Sequence, residues 1–218
     1  MTRYKEIARA VEASGAVLVA VSKMHPYDAV LEAYSDGARI FGENRVQELE
    51  SKFPHPGERP EGMLVYLIGQ LQRNKVRKAV ELADRIESVD SLPLIEKIEK
   101  EAAAIGRRID VLIEVNSGGE EQKAGFRSEE EAIAAASFII ASCPHMRLRG
   151  LMTVGPLGFD DDKNRRAFSY AKGVFERMKG LSDDIDVLSM GMSSDWKTAL
   201  EYGSTEVRIG TAIFGERS

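Results

Sequence analysis

What this 218-residue chain lacks narrows its chemistry at once. It has a single cysteine, Cys143, which excludes an intramolecular disulfide and any cysteine-rich metal site. That cysteine follows the apolar stretch Phe138-Ile-Ile-Ala-Ser and reads as a buried structural thiol rather than a nucleophile. The three histidines, His25, His55 and His145, share no metal-ligand spacing. No apolar run approaches membrane-spanning length, and Met1-Thr-Arg-Tyr-Lys-Glu-Ile7 carries charges where a signal peptide needs an apolar core. A cytoplasmic protein with no membrane contact is the expectation. Basic excess is missing too: the net charge is −5, so the chain as a whole carries no electrostatic footprint for nucleic acid. The one basic run, Gln72-Arg-Asn-Lys-Val-Arg-Lys78, has Val76 interleaved at a predicted helix start and reads as a solvated face. There is no linker, low-complexity tract or sequence repeat, so residues 1–218 are expected to form one domain.

What is there is a rhythm. Short apolar segments at 17–22, 38–41, 64–68, 85–89, 110–115, 149–154, 186–190 and 206–209 read as strands. Helical patterns fill the intervals, at 27–35, 45–52, 74–82, 93–105, 128–142, 162–179 and 195–202, and one more at 2–13 precedes the first strand. Such alternation implies parallel strands with crossover helices. Eight strands at this spacing fit a single (β/α)8 TIM-type barrel with an extra N-terminal helix; a doubly wound open sheet is the competing architecture. Two loops are rich in turn residues: 53–62, with three prolines, and 116–125, which follows a strand directly and in a barrel lies on the active face.

The first strand, Ala16-Val-Leu-Val-Ala-Val-Ser22, runs straight into Lys23. A cation at the end of a buried strand either snorkels to solvent or has its pKa lowered by burial. In the second case its lone pair is free to attack an aldehyde. Far along the chain, Ser189-Met-Gly-Met-Ser-Ser-Asp195 leads from the seventh strand into a helix, with Ser193 and Ser194 expected at the N-cap and Asp195 in the first turn. Arg208-Ile-Gly-Thr211 ends the eighth strand, where Gly210 lets backbone approach an anion and Thr211 adds a hydroxyl. In (β/α)8 proteins the loops after strands seven and eight commonly bind phosphate. Serines also cap ordinary helices and Gly-Thr also makes ordinary turns, so it is the coincidence with Lys23 that favours a site. Arg208 points either outward between helices or inward to the mouth, where a ring nitrogen would be a suitable acceptor. Glu43 and Asn44 end the second strand beside Lys23, with Asn44 equally readable as a helix N-cap.

Several of these segments together resemble the pyridoxal phosphate homeostasis protein family. They are Ala20-Val-Ser-Lys-Met-His-Pro26, Phe41-Gly-Glu-Asn-Arg-Val-Gln-Glu48, Ile68-Gly-Gln-Leu-Gln-Arg-Asn-Lys75, Gly150-Leu-Met-Thr153, Met190-Gly-Met-Ser-Ser-Asp195 and Gly203-Ser-Thr-Glu-Val-Arg-Ile-Gly-Thr-Ala-Ile-Phe-Gly215. The resemblance spans nearly the whole chain. It implies a barrel similar to the N-terminal domain of alanine racemase, binding pyridoxal 5′-phosphate as a lysine aldimine. It further implies Lys23 as the aldimine lysine, phosphate contacts from Ser193, Ser194, Gly210 and Thr211, and Arg208 near the pyridine nitrogen. Asn44 and Met152 match pocket-lining positions, while Gln70 is given no role.

A cofactor lysine alone does not make an enzyme. Racemisation needs a base on each face of the cofactor and a pocket for the substrate carboxylate, and in the related racemases a further domain and subunit complete both. This chain is expected to lack them. A cytoplasmic carrier or regulator of pyridoxal phosphate is therefore the favoured reading, a monomer with pyridoxal-dependent apoenzymes as recipients. The alternative is a minimal pyridoxal-dependent enzyme such as a weak amino-acid racemase.

Overall fold

The computed structural model describes residues 2–156 and 160–215. Eight parallel strands close on themselves in sequence order: β1 (Val17–Val21), β2 (Ile40–Glu43), β3 (Leu64–Leu67), β4 (Arg85–Val89), β5 (Ile109–Glu114), β6 (Met146–Met152), β7 (Val187–Ser189) and β8 (Glu206–Ile209). Closure is made by β1 against β8, from Val17 opposite Glu206 to Ala20 opposite Ile209. The helices are α1 (Arg3–Glu12), α2 (Tyr27–Ser35), α3 (Val46–Lys52), α4 (Val76–Leu82), α5 (Leu92–Ile105), α6 (Glu129–Ser142), α7 (Asp161–Lys179), α8 (Trp196–Glu201) and α9 (Thr211–Phe214). The closed barrel excludes the open-sheet alternative.

Local chemistry sets the element ends. Ser128 caps α6 by accepting the Glu131 N–H, while Glu131 reaches back to the Arg127 N–H. Asp160 does the same for α7 through the Lys163 N–H. Gly106, at φ +64°, ends α5, and the Arg107 N–H returns to the Ala102 carbonyl. Gly150 sits where β6 slips one residue against β5, and a Cβ there would lie 1.9 Å from the Val187 carbonyl oxygen.

The main apolar core lies between the strands and their surrounding helices: Ile86, Val111, Ile113 and Leu188 from the strands meet Leu49, Ile98, Ile139 and Phe168 from the helices. The extra helix α1 covers the closure seam, placing Ala8 and Val11 against Leu18, Val207 and Ile209. Cys143 is buried, and burial next to Glu99 and Glu96 pushes its thiol up to about 11, which suits an inert packing role.

Three expectations need correction. Ser193 and Ser194 do not cap α8; Asp195 stands at the cap and accepts the Met192 N–H at 2.6 Å, leaving both serines in the loop before the helix. Asn44 does not cap α3 either, since Arg45 occupies that position without a side-chain cap bond. Gly210 and Thr211 do not end β8, which stops at Ile209; Thr211 opens the four-residue helix α9. At both helix starts, α8 and α3, the cap position falls one or two residues beyond the expected capping side chain.

Candidate functional site

The barrel lumen is polar where the sleeve around it is apolar. Arg85 pairs with Glu87 at 2.9 Å and with Glu206 across the barrel, all three being buried. Ser189 donates to Glu87 at 2.9 Å and accepts a hydrogen bond from Arg208 at 2.5 Å. Arg208 is 4% exposed, and its other guanidinium nitrogen donates to the Thr153 carbonyl at 2.7 Å. The inward alternative for this arginine is therefore the observed one. Burial, reinforced by Glu87, pushes the Glu206 carboxyl up, while Arg85 opposes the rise. Burial lowers the Arg85 guanidinium, but Glu206 and Glu87 more than offset this and hold it above its ordinary value. Glu114, at the C-terminal end of β5, is pushed up to about 7 by burial and by Asp90, against the pull of Arg208 and Lys123.

Above this charged layer, at the C-terminal ends of the strands, lies a cavity of about 360 Å³. Lys23, Asn44, Ser193, Ser194, Arg208, Gly210 and Thr211 all line it. The volume is within the roughly 300–1,000 Å³ usual for small-molecule sites. The Gly210 N–H donates to the Ser193 hydroxyl at 3.3 Å, tying the loops after β7 and β8 together. A Cβ on Gly210 would come within 2.9 Å of the Val21 carbonyl oxygen, so a side chain there would displace the strand that delivers Lys23. Gly69 plays the same part for Asn44, whose carbonyl oxygen would lie 2.4 Å from any added Cβ.

Met152 is the exception. It is 1% exposed and packs with Leu112 and Val187 inside the barrel, below the cavity. Side chains two apart on a strand path share a face, and it is Val154, two residues further on, that reaches the cavity wall. Val21 at the end of β1, Ile68 just past β3 and Met192 in the loop after β7 also line it. A second, larger hollow of about 700 Å³ shares Asn44 with the first and is lined by Arg45, Gln47, Gln70, Gln72 and Lys75 among others. The Asn44 side-chain oxygen is buried without a hydrogen-bond partner among the described residues.

Behind Lys23, the Glu43 carboxylate receives Ser22 and Lys52 at 2.7 Å each. Burial pushes Glu43 up to about 7 even though Lys52 and Ser22 favour its charged form. His25 stacks on Phe214 with ring centroids 5.1 Å apart. Trp196 packs at the edge of the α1 cluster. The basic run beside α4 is laced with acidic partners, Arg77 to Glu81 and Lys78 to Glu50, as a solvated face should be. No group of three or more metal-ligating side chains occurs among the described residues, and no helix among them is long and apolar enough to cross a membrane.

Fold and site together define a parallel (β/α)8 barrel with a lysine, two hydroxyl-bearing loops and a buried arginine around one small-molecule cavity. The family model for the alanine racemase N-terminal domain matches residues 2–218. The human pyridoxal phosphate homeostasis protein is 40% identical over 212 residues, covering 92% of this chain and 76% of the human one. PipY of Synechococcus elongatus PCC7942, solved with PLP bound, superposes with a TM-score of 0.85 at 35% identity, over 98% of this chain and all of that one. Alanine racemase from Corynebacterium glutamicum, at 17% identity and a TM-score of 0.75, shares the fold over 97% of this chain and 60% of its own. The chain belongs to the pyridoxal phosphate homeostasis protein family, within the alanine racemase N-terminal domain fold.

Proposed function

We propose that this chain, acting as one barrel domain, binds pyridoxal 5′-phosphate at the barrel mouth and serves in the cytoplasm as a carrier or regulator of that cofactor rather than as an enzyme. The observation that carries this reading is the convergence of Lys23, Arg208 and the Ser193–Ser194 and Gly210–Thr211 loops on one cavity. When bound, the cofactor supplies an aldehyde to which a primary amine adds with loss of water, and Lys23 supplies that amine. The hydroxyls of Ser193, Ser194 and Thr211 suit a phosphate, and Gly210 keeps its backbone accessible to one. Asn44, with its buried unpartnered oxygen, offers an acceptor to a hydroxyl donor.

Arg208 shapes what the protein does not do. A guanidinium donates only and stays charged, so a ring nitrogen beside it remains an unprotonated acceptor. A neutral ring withdraws electrons weakly, which favours holding and release over carbanion chemistry. Ser189 and Thr153 fix the orientation of Arg208, keeping this preference built into the lumen. Release to pyridoxal-dependent apoenzymes by a monomeric protein completes the reading.

The test is direct. Borohydride treatment of protein incubated with pyridoxal phosphate, followed by mass mapping, should place one reduced adduct on Lys23, and Lys23→Ala should abolish it while the fold persists. An adduct on Lys75 or any other lysine overturns the assignment. Incubation of the loaded protein with L- and D-amino acids in deuterated water should give no sustained Cα exchange. Exchange at enzymatic rates would replace the carrier reading with the racemase one.

A further inference from the structure

Lys23 does not end β1 as an extended residue; it occupies the second position of a tight turn. The Ser22 carbonyl accepts the His25 N–H at 3.1 Å, and Met24 between them has φ +64°. Met24 is the one non-glycine residue with positive φ among the described residues. At that place in a turn, glycine or asparagine is the usual choice, and a bulkier residue stays left-handed only when its surroundings hold it there.

Two groups do the holding. The Met24 N–H donates to Glu48 Oε2 at 2.7 Å. The Ser22 carbonyl receives Lys52 Nζ at 2.8 Å. Lys52 also donates to Glu43 at 2.7 Å and lies 3.4 Å from Glu48, so one ammonium ties the peptide before Lys23 to the peptide after it. The Lys52 side chain is 9% exposed and that of Glu43 is fully buried, which separates this cluster from a solvated surface pair. Glu48 and Lys52 are one turn apart on α3, and neither lines the cavity that holds Lys23. The helix after β2 thus serves as the backstop of the loop after β1.

We propose that Lys52 and Glu48 are positioning residues for Lys23, holding the 22–25 turn in the conformation that presents its amine to the cavity. The inference rests on the covalent role proposed for Lys23 and adds the device that aims it. The clamp acts on the turn, so its loss should slow capture of the aldehyde and leave the pocket for the rest of the ligand intact.

The experiment compares the wild type with Lys52→Met, Glu48→Ala, and Glu48→Ala combined with Met24→Gly. One readout is the rate of borohydride-trapped adduct formation at Lys23 with pyridoxal 5′-phosphate. The other is affinity for pyridoxine 5′-phosphate, which carries an alcohol in place of the aldehyde and forms no covalent link. Lys52→Met and Glu48→Ala should each slow capture about tenfold or more and change pyridoxine phosphate affinity less than twofold. Adding Met24→Gly to Glu48→Ala should restore at least half of the lost rate, because glycine takes the left-handed conformation unaided. If Lys52→Met fails to fold, the Glu48 pair decides alone. Equal losses for both ligands, unchanged capture in Glu48→Ala, or no rescue by glycine would overturn the clamp while leaving Lys23 as the attachment point. A wild type that traps no adduct at Lys23 overturns both readings together.

Discussion

The two faces of the same eight strands have opposite chemistry. Outward side chains such as Val111, Ile113 and Leu188 meet an apolar sleeve of helices, where burial alone stabilises the contact. Inward side chains include Arg85, Glu87, Glu206, Ser189 and Arg208, which depend on being paired with one another. Barrel interiors of this class are more often filled with bulky branched residues. Here the lumen keeps an apolar patch of Leu112, Met152 and Val187, but a charged layer directly underlies the cavity. The sleeve keeps the barrel closed, and the lumen orients the arginine on which the cofactor reading depends. Stability and specificity thus occupy different sides of one sheet.

Substitution can sharpen or break that division. The largest expected effect is in the lumen. Arg85→Met strands Glu87 and Glu206 as buried carboxylates, and unfolding by denaturant should show a loss of about 3–5 kcal/mol. Removing Glu206 as well, by Glu206→Gln, should recover a substantial part of it, because the charge left behind is what costs. Simple additivity of the two losses would show that the pair is not coupled and would erase the distinction from the sleeve. On the sleeve, Ile98→Ala should cost about 2–5 kcal/mol through transfer and cavity formation, with Ile98→Val well below it. Neither Ile98 variant should alter ligand affinity; if one does, the two faces are mechanically linked.

A smaller effect is expected at the mouth. Thr211→Val should weaken pyridoxal phosphate binding by about 1.5–3 kcal/mol, the value of a hydrogen bond to a charged group, and leave thermal stability nearly unchanged. Pyridoxal, which lacks the phosphate, should bind both proteins alike, and parallel losses for the two ligands would point to collapse of the loop. The smallest expected effect is a slope. Burial raises Glu114 from 4.5 to about 7, so the folded state holds a proton there that the unfolded chain releases. Its contribution is full below about pH 4.5 and is lost as pH rises to 7. Glu114→Gln should therefore flatten the decline of stability across that window. An unchanged pH–stability curve would show that the carboxyl at the lumen's upper edge is solvated rather than buried.

Much of the fold was legible in the residue order, since each apolar segment had a period and a neighbour that named it strand or helix. All eight expected strands are present; the largest differences are in β6, at Met146–Met152 rather than 149–154, and β2, at Ile40–Glu43 rather than 38–41. That Lys23 and the loops after β7 and β8 would meet at one cavity could be anticipated from their coincidence at the ends of strands, although each feature alone is ordinary. The depth of Met152 below the cavity was not legible, because a motif marks position along the chain and not depth in a lumen. Glu48 and Lys52 passed unnoticed because a Glu and a Lys four apart on a short helix look like any solvated pair.

The sequence alone determined the alternating pattern, and with it a parallel sheet with crossover helices, because hydrophobic periodicity is local and each βα unit declares itself within about 30 residues; that the sheet closes was decided by the tertiary structure. It likewise determined which residue types would be delivered to strand ends. Only the tertiary structure decided what they meet. Arg85 reaches Glu206 across 121 positions of chain, Arg208 turns inward to Ser189 and Thr153, and Lys52 reaches back 30 positions to grip the turn around Lys23. Closure of the sheet creates these partnerships, and in a low-dielectric lumen a charge is stabilised only by the particular groups that closure places beside it.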